Sequence, residues 1–291
     1  MRYFSLLRTG VLITMLIIPQ ACSNVNQPSN SAAPADTAPL PSVSETSSAP
    51  AEETASAEPE WDTETLRNDT GKTMIKSMST QSGKHIAFAI VSSQGTVIMA
   101  DPHGIPSKNG LLRADVITST FINHDHQDMT LIHNNPDARV SEMKAESFTV
   151  KDVQVTGIAA SHTGEPIDTN QPDDVIYVYE VDGLRIAYFA GLDQEQLTEE
   201  QLKQLGTIDI ALVAFKHVPA WHVKKEVAIM ILNALKPRIV LPTEFDADTA
   251  EEIRQLANVK DSGEQDFLTV SADDLKSMTG TQSIFIQPMQ Q

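Results

Sequence analysis

Five consecutive residues, His124-Asp125-His126-Gln127-Asp128, have the side chains and spacing that metal binding needs. They follow an apolar run over residues 116–122 that reads as a buried strand. In extended backbone, residues two apart point to the same side. His124 and His126 therefore aim their imidazoles at one point past the strand end, with Asp128 a step beyond. Neutral imidazole is a good ligand for zinc and related metals, and carboxylate adds charge. With only 8 histidines in 291 residues, this cluster at a strand end favours a metal site over a polar surface loop. His162, just past a second apolar run at 153–160 and beside small residues, is the next candidate ligand.

The elements that must position these groups follow from periodicity and turn chemistry. Strands are expected at 74–80, 85–92 and 96–100, with Ser93-Gln94-Gly95 as a hairpin turn and Asp101-Pro102 as a stop. Further strands are expected at 116–122, 153–160, 175–181 and 184–190, the last two joined by Asp182-Gly183, a strong hairpin signal. The pattern then changes to helix and strand in turn. Thr198 to Gln201 reads as a capping box, and Gly206 stands where a C-terminal glycine belongs. A strand at 208–215, a helix at 223–235, a strand at 238–242 and a helix at 248–258 complete the series. Hairpins first and βαβ units later imply an α/β sandwich and not a barrel.

The N-terminal end reads differently. Arg2 and Arg8 flank a short n-region, and residues 10–19 are almost wholly apolar, too short for a comfortable membrane span and of signal-peptide length. Ala21-Cys22 after that core is similar to a bacterial lipoprotein processing site, which makes residues 1–21 a signal peptide and Cys22 a lipidated N-terminus. Pro19-Gln20 departs from the usual residues before such a cysteine, and an ordinary signal peptide or uncleaved anchor is the other reading. The single cysteine excludes an intrachain disulfide. Residues 22–60 are Ser, Ala, Pro, Thr and Glu with no Lys or Arg, a composition that cannot offset its own ordering entropy and reads as a disordered tether. Residues 61–291 are long enough for one substantial core. The net charge of −18 disfavours nucleic acid and any second, electrostatic membrane anchor. The expected location is the cell envelope, outside the cytoplasm and lipid-anchored.

From residue 74 to 245 the sequence resembles the metallo-β-lactamase superfamily, most closely its lactonase-like branch of metal-dependent hydrolases. Asp101-Pro102, the H-x-H-x-D stretch, Ala159-Ala160-Ser161-His162, Gly191-Leu192-Asp193 and residues 236–244 match the family's pieces in order. The resemblance implies a four-layer αβ/βα sandwich with metals at one edge. It implies one metal held by His124, His126 and His162, with a water in the open position and Asp128 orienting that water or taking its proton. It also implies damage at a second metal. The family's histidine after Asp128 is Met129, its bridging aspartate is Leu192, and its last histidine is Glu244, which can offer oxygen. The family's Gly-Gly after the strand at 208–215 is Lys216-His217. Asp193 reaches the site only if the turn shifts by one residue. His217 and His222, with Trp221 between, border the cleft in this fold, where they touch substrate, replace a lost ligand or are plain surface histidines. His85, His103 and His133 read as surface histidines and Glu165 as a solvated carboxylate.

Two functions fit. One is an envelope-anchored hydrolase of an ester, lactone, amide or phosphoester bond in a small molecule, using one divalent metal, zinc by its ligands, with the second metal weak or absent. The other is a catalytically degenerate member that binds a ligand or partner without chemistry.

Overall fold

The computed structural model describes residues 60–80, 87–105, 110–122, 125–164, 166–189 and 191–289. Cys22 and the tether, His85, His124 and Glu165 lie outside them. Among the described residues no helix is long and apolar enough to cross a membrane.

The chain begins with β1 (Thr73–Ser77), β2 (Phe88–Val91), β3 (Val97–Ala100) and β4 (Val116–Ser119). It continues through α1 (Met129–Asn134), β5 (Arg139–Glu142), β6 (Ser147–Val150), β7 (Val153–Ala160), β8 (Asp174–Val181), β9 (Leu184–Phe189) and α2 (Glu199–Leu205). Then come β10 (Ile210–Phe215), a 3₁₀ turn (Pro219–Trp221), α3 (Lys225–Leu235), β11 (Ile239–Phe245) and α4 (Ala247–Leu256). The last elements are β12 (Val259–Gln265), β13 (Phe267–Val270), α5 (Ala272–Lys276) and β14 (Thr281–Ile286).

Two sheets form, ordered β13-β1-β2-β3-β4-β5 and β12-β14-β11-β10-β9-β8-β7-β6. Period-2 alternation builds the layers. Val175, Tyr177, Tyr179 and Val181 of β8 face one cluster that also holds Ile75, Phe88, Ile98 and Val116 of the first sheet, so this cluster is the space between the sheets. Ile176 and Val178 face the opposite way, into a cluster with Leu205, Val227, Ile231 and Ile253 from α2, α3 and α4. The outer face of the first sheet packs Met99 and Ile117 with Leu131 of α1. The result is helix, sheet, sheet, helix: the four-layer sandwich that the resemblance implies. Buried tyrosine hydroxyls between the sheets find partners, as burial requires: Tyr179 shares a 2.7 Å bond with Thr118 Oγ1, and Tyr177 donates to the Ser141 carbonyl at 2.8 Å.

Strands β9, β10 and β11 are mutually parallel, and β7 runs the same way because it and β9 are each antiparallel to β8. The carboxyl ends of β7, β9, β10 and β11 and the start of β8 therefore share one edge. The Val175 amide donates to the Thr120 carbonyl at 3.0 Å and ties the loop after β4 to that edge. Ligand sites in α/β sheets collect at the carboxyl ends of strands.

Several expected bounds move. The strand after residue 116 ends at Ser119, not 122, which leaves Phe121 in the loop. The helix expected from 223 starts at Lys225, because Val223 bridges Val218 around the 3₁₀ turn. The strand expected to stop at Pro242 continues to Phe245 and takes Glu244 with it.

Candidate metal centre

His126 is buried, and its Nδ1 lies 2.7 Å from Asp101 Oδ2. Asp101, at positive φ just past β3, also accepts the Thr120 amide at 2.7 Å and the Thr120 hydroxyl at 2.6 Å. A carboxylate fixed by the two Thr120 donors holds the imidazole in one orientation, with Nε2 turned away from Asp101. Burial opposes charge on His126, but the Asp101 charge and hydrogen bond outweigh it and lift the ring to about 9.

His162 follows β7, and its Nδ1 lies 2.5 Å from the Gly191 carbonyl oxygen. A carbonyl only accepts, so Nδ1 carries the hydrogen and Nε2 keeps its lone pair. Burial lowers the pKa of His162, with the Gly191 bond opposing and nearby His222 and His126 adding to the fall. Gly191 is needed here. At φ +79° it lies where side chains are rarely tolerated, and a Cβ would come within 3.2 Å of His162 Nδ1 and 3.5 Å of Asp174 Oδ2.

Phe121 touches both histidines. Its ring stacks on His162 at 4.5 Å and meets His126 edge-on at 5.9 Å. His162 in turn lies 5.0 Å from the His222 ring. Among the described residues no three His, Cys, Asp or Glu side chains converge closely enough to hold a metal; His124, the other half of the H-x-H pair, lies outside them.

The remaining candidates are placed as follows. Asp128 caps α1: Oδ1 accepts the Leu131 amide at 3.0 Å and Oδ2 the Ile105 amide at 3.3 Å. Leu192 is buried in the apolar cluster with Phe189, Val213 and Val227. Asp193 is buried, with His222 Nδ1 at 2.9 Å and Lys224 Nζ at 2.7 Å. Glu244 is buried, with Lys216 Nζ at 3.1 Å. Lys216 also lies 5.8 Å from the Trp221 ring. His217 lies 3.6 Å from Glu226 in the first turn of α3. Of the oxygen donors left at the damaged half, Asp193 and Glu244 thus each face an ammonium group, while Asp128 caps α1.

A family profile described as a beta-lactamase superfamily domain matches residues 81–244. The chain belongs to the metallo-β-lactamase superfamily. No curated protein matches it in sequence. Among solved structures, a candidate Zn-dependent hydrolase of the superfamily from Thermotoga maritima is 16% identical with a TM-score of 0.49, covering 74% of this chain and 100% of that one. A candidate metal-dependent hydrolase from Parabacteroides distasonis is 18% identical with a TM-score of 0.47, over 62% and 92%. A metallo-beta-lactamase fold protein from Bacillus subtilis is 9% identical with a TM-score of 0.47, over 75% and 98%.

Four groups of this superfamily member have roles that local sequence does not signal. Asp101 reads as the stop after a strand and as the family's Asp-Pro, and only the fold puts it on His126. Lys216 stands in place of a family glycine, and only the fold makes it a cation for Glu244. Lys224 carries no motif. Asp174 opens β8 fully buried, its Oδ2 without a hydrogen-bond partner, and burial pushes its carboxyl well above the usual range. No sequence signal separates it from its half-buried neighbour Asp173. Such an orphaned oxygen, beside histidines whose Nδ1 atoms are tied to oxygen, fits a cation.

Proposed function

We propose that this protein is a metal-dependent hydrolase with one divalent ion, most suited to zinc, held by His124, His126 and His162. One observation carries the reading: both described histidines give Nδ1 to an oxygen, Asp101 or the Gly191 carbonyl, and so present Nε2. Metal-ligating histidines have this outer arrangement almost without exception. A divalent ion bound there brings the pKa of its water to about 7 and supplies a nucleophile at neutral pH. The chain's own part is to orient the imidazoles through Asp101 and Gly191 and to keep Phe121 packed against them. A cavity of about 750 Å³, lined by Thr163, Gly164, Asp193, Gln194 and Lys224 among others, lies beside this edge and is large enough for a small-molecule substrate. The substrate bond is an ester, lactone, amide or phosphoester. The acidic chain argues against nucleic acid.

Metal analysis of the purified protein after loading and desalting tests this. One equivalent that is lost in His126→Ala supports the reading, and hydrolysis of p-nitrophenyl acetate, a γ-lactone or bis-p-nitrophenyl phosphate identifies the bond. The pairing of Asp193 and Glu244 with lysines favours a second reading, a member that binds a ligand without chemistry. Metal bound with no turnover of any of the three substrates would select it.

We further propose that Cys22 is lipidated and that residues 22–60 tether the domain to an envelope membrane. The support is the order of charged, apolar and small residues before Cys22 and the composition after it. Cys22→Ser should leave membranes or stay unprocessed; unchanged mature mass and fractionation would overturn the anchor.

A further inference from the structure

We infer that the loops at the edge carrying His162 form a lip that rests in the interface of a lipid bilayer, with Trp221, Ile122 and Met129 as its apolar contacts. The inference rests on the lipid-anchor reading above, because the anchor supplies the bilayer, and it needs no metal.

The first observation is where apolar surface collects. Among the described residues six large apolar side chains are exposed, and three of them stand at this edge: Trp221 at 65%, Met129 at 65% and Ile122 at 53%. The other three lie one each on α2, α4 and β13, the scatter normal for a protein surface. Ile122 and Trp221 flank one row of rings. Phe121 stacks on His162, His162 lies against His222, and Ile122 and Trp221 are the chain neighbours of the two ends. Met129 opens α1 at the end of the loop that holds Ile122. Exposed apolar groups gathered on one face mark contact with a partner or a membrane.

The second observation is the chemistry of the tip. Pro219, Ala220 and Trp221 of the 3₁₀ turn are all exposed. Lys216 Nζ lies 5.8 Å from the Trp221 ring. Tryptophan favours the headgroup level of a bilayer, and a lysine stem can lie along apolar surface while its charge stays in water.

What covers the lip follows from the chain before the fold. The described chain begins at Glu60, whose carbonyl accepts the Leu111 amide at 2.7 Å. Leu111 borders one small cavity with Asp128 and Leu131. The chain therefore leaves the domain beside α1, the helix that Met129 opens. With Cys22 in a bilayer, the segment before Glu60 keeps the lip near lipid at an effective concentration on the order of a millimolar, so a patch too small to hold a free protein still docks. Charge is not the attraction. The chain carries −18, and Lys216, Lys224 and Lys225 of this loop face Glu244, Asp193 and Glu252. The contact is apolar and insensitive to salt.

The test uses the full lipidated chain in phosphatidylcholine vesicles, with or without brominated acyl chains. Flotation reads the anchor, and tryptophan fluorescence reads the lip. Of the two tryptophans, Trp61→Phe leaves only Trp221 and keeps a ring under Arg113. The expected result is Trp221 emission quenched about twofold or more by brominated lipid, equally in low and high salt. Ile122→Ser with Met129→Ser should relieve most of that quenching. Flotation without quenching overturns the lip and leaves the anchor standing. No flotation overturns both. Quenching abolished by salt assigns the contact to headgroup charge and overturns the apolar lip. Emission shielded from acrylamide but untouched by brominated lipid means that a second copy or another protein covers Trp221, and it also overturns the inference. Should Trp61→Phe unfold, the difference between the parent and Trp221→Phe isolates the same signal.

Discussion

His126 and Asp101 form a buried pair that joins the two loops of the first sheet's carboxyl edge, 25 residues apart in sequence and 2.7 Å apart in space. The aspartate is held by Thr120, so the imidazole inherits its orientation from the strand ends and not from its own loop.

Replacing that carboxylate should therefore be felt at the metal. Asp101→Asn is expected to weaken zinc binding by roughly 10–100-fold, the usual effect of losing an outer partner of a ligating histidine. Chelator competition measures it. Affinity within a factor of two of the parent would show that Asp101 does not orient a ligand.

Lys216 neutralises a glutamate that the fold has buried. Lys216→Met should lower stability in denaturant unfolding, since it takes a cation away from a buried carboxylate. The double change Lys216→Met with Glu244→Leu should cost less than the single one. If the double variant is the less stable of the two, the pair does not act as a unit.

Leu192 occupies the position of the family's bridging aspartate, so Leu192→Asp looks like a repair. It should not be one. The side chain faces the apolar cluster under α3, and losing a buried leucine costs about 2–5 kcal/mol before any charge is counted. The expected outcome is a less stable protein with unchanged metal stoichiometry. A gain of one tight equivalent would refute this placement.

Acid should loosen the joint between α5 and β1. The Lys72 and Ser271 hydrogen bonds hold the Asp274 carboxyl down at about 2, against 3.8 unfolded. A depressed carboxylate contributes stability that is complete above its unfolded pKa and is lost as pH falls through about 2. Between pH 4 and 2 the parent should lose stability faster than Lys72→Met, as followed by thermal melts. Parallel acid limbs would exclude the pair as a contributor.

Much of this was readable in the chain, for identifiable reasons. β7 falls on the expected residues 153–160, because its apolar run is long and bounded by turns. The Thr198 box and Gly206 stand as expected, because capping is local chemistry. β12 was not expected: its Lys-Asp-Ser-Gly-Glu-Gln tail is exposed on a sheet edge, so only Val259 carries a burial signal. β11 was cut short at Pro242, since proline lacks an N–H for the ladder. The register shift between Val213 and Phe215 opposite accommodates it. The pairing of Asp101 with His126, or of Lys216 with Glu244, is set by sheet order, which no local pattern encodes.

The first sheet is finished by the last part of the chain. β1 pairs on one side with β2 and on the other with β13, whose residues 267–270 come almost two hundred positions later. During synthesis, the amino-terminal strands must therefore wait with an open edge while every strand of the second sheet but β14 is made. An open edge is a template for wrong pairing, and distant pairing slows folding. A protein cut before residue 267 would lose no mere tail: it would expose β1, at the far end of the molecule's history.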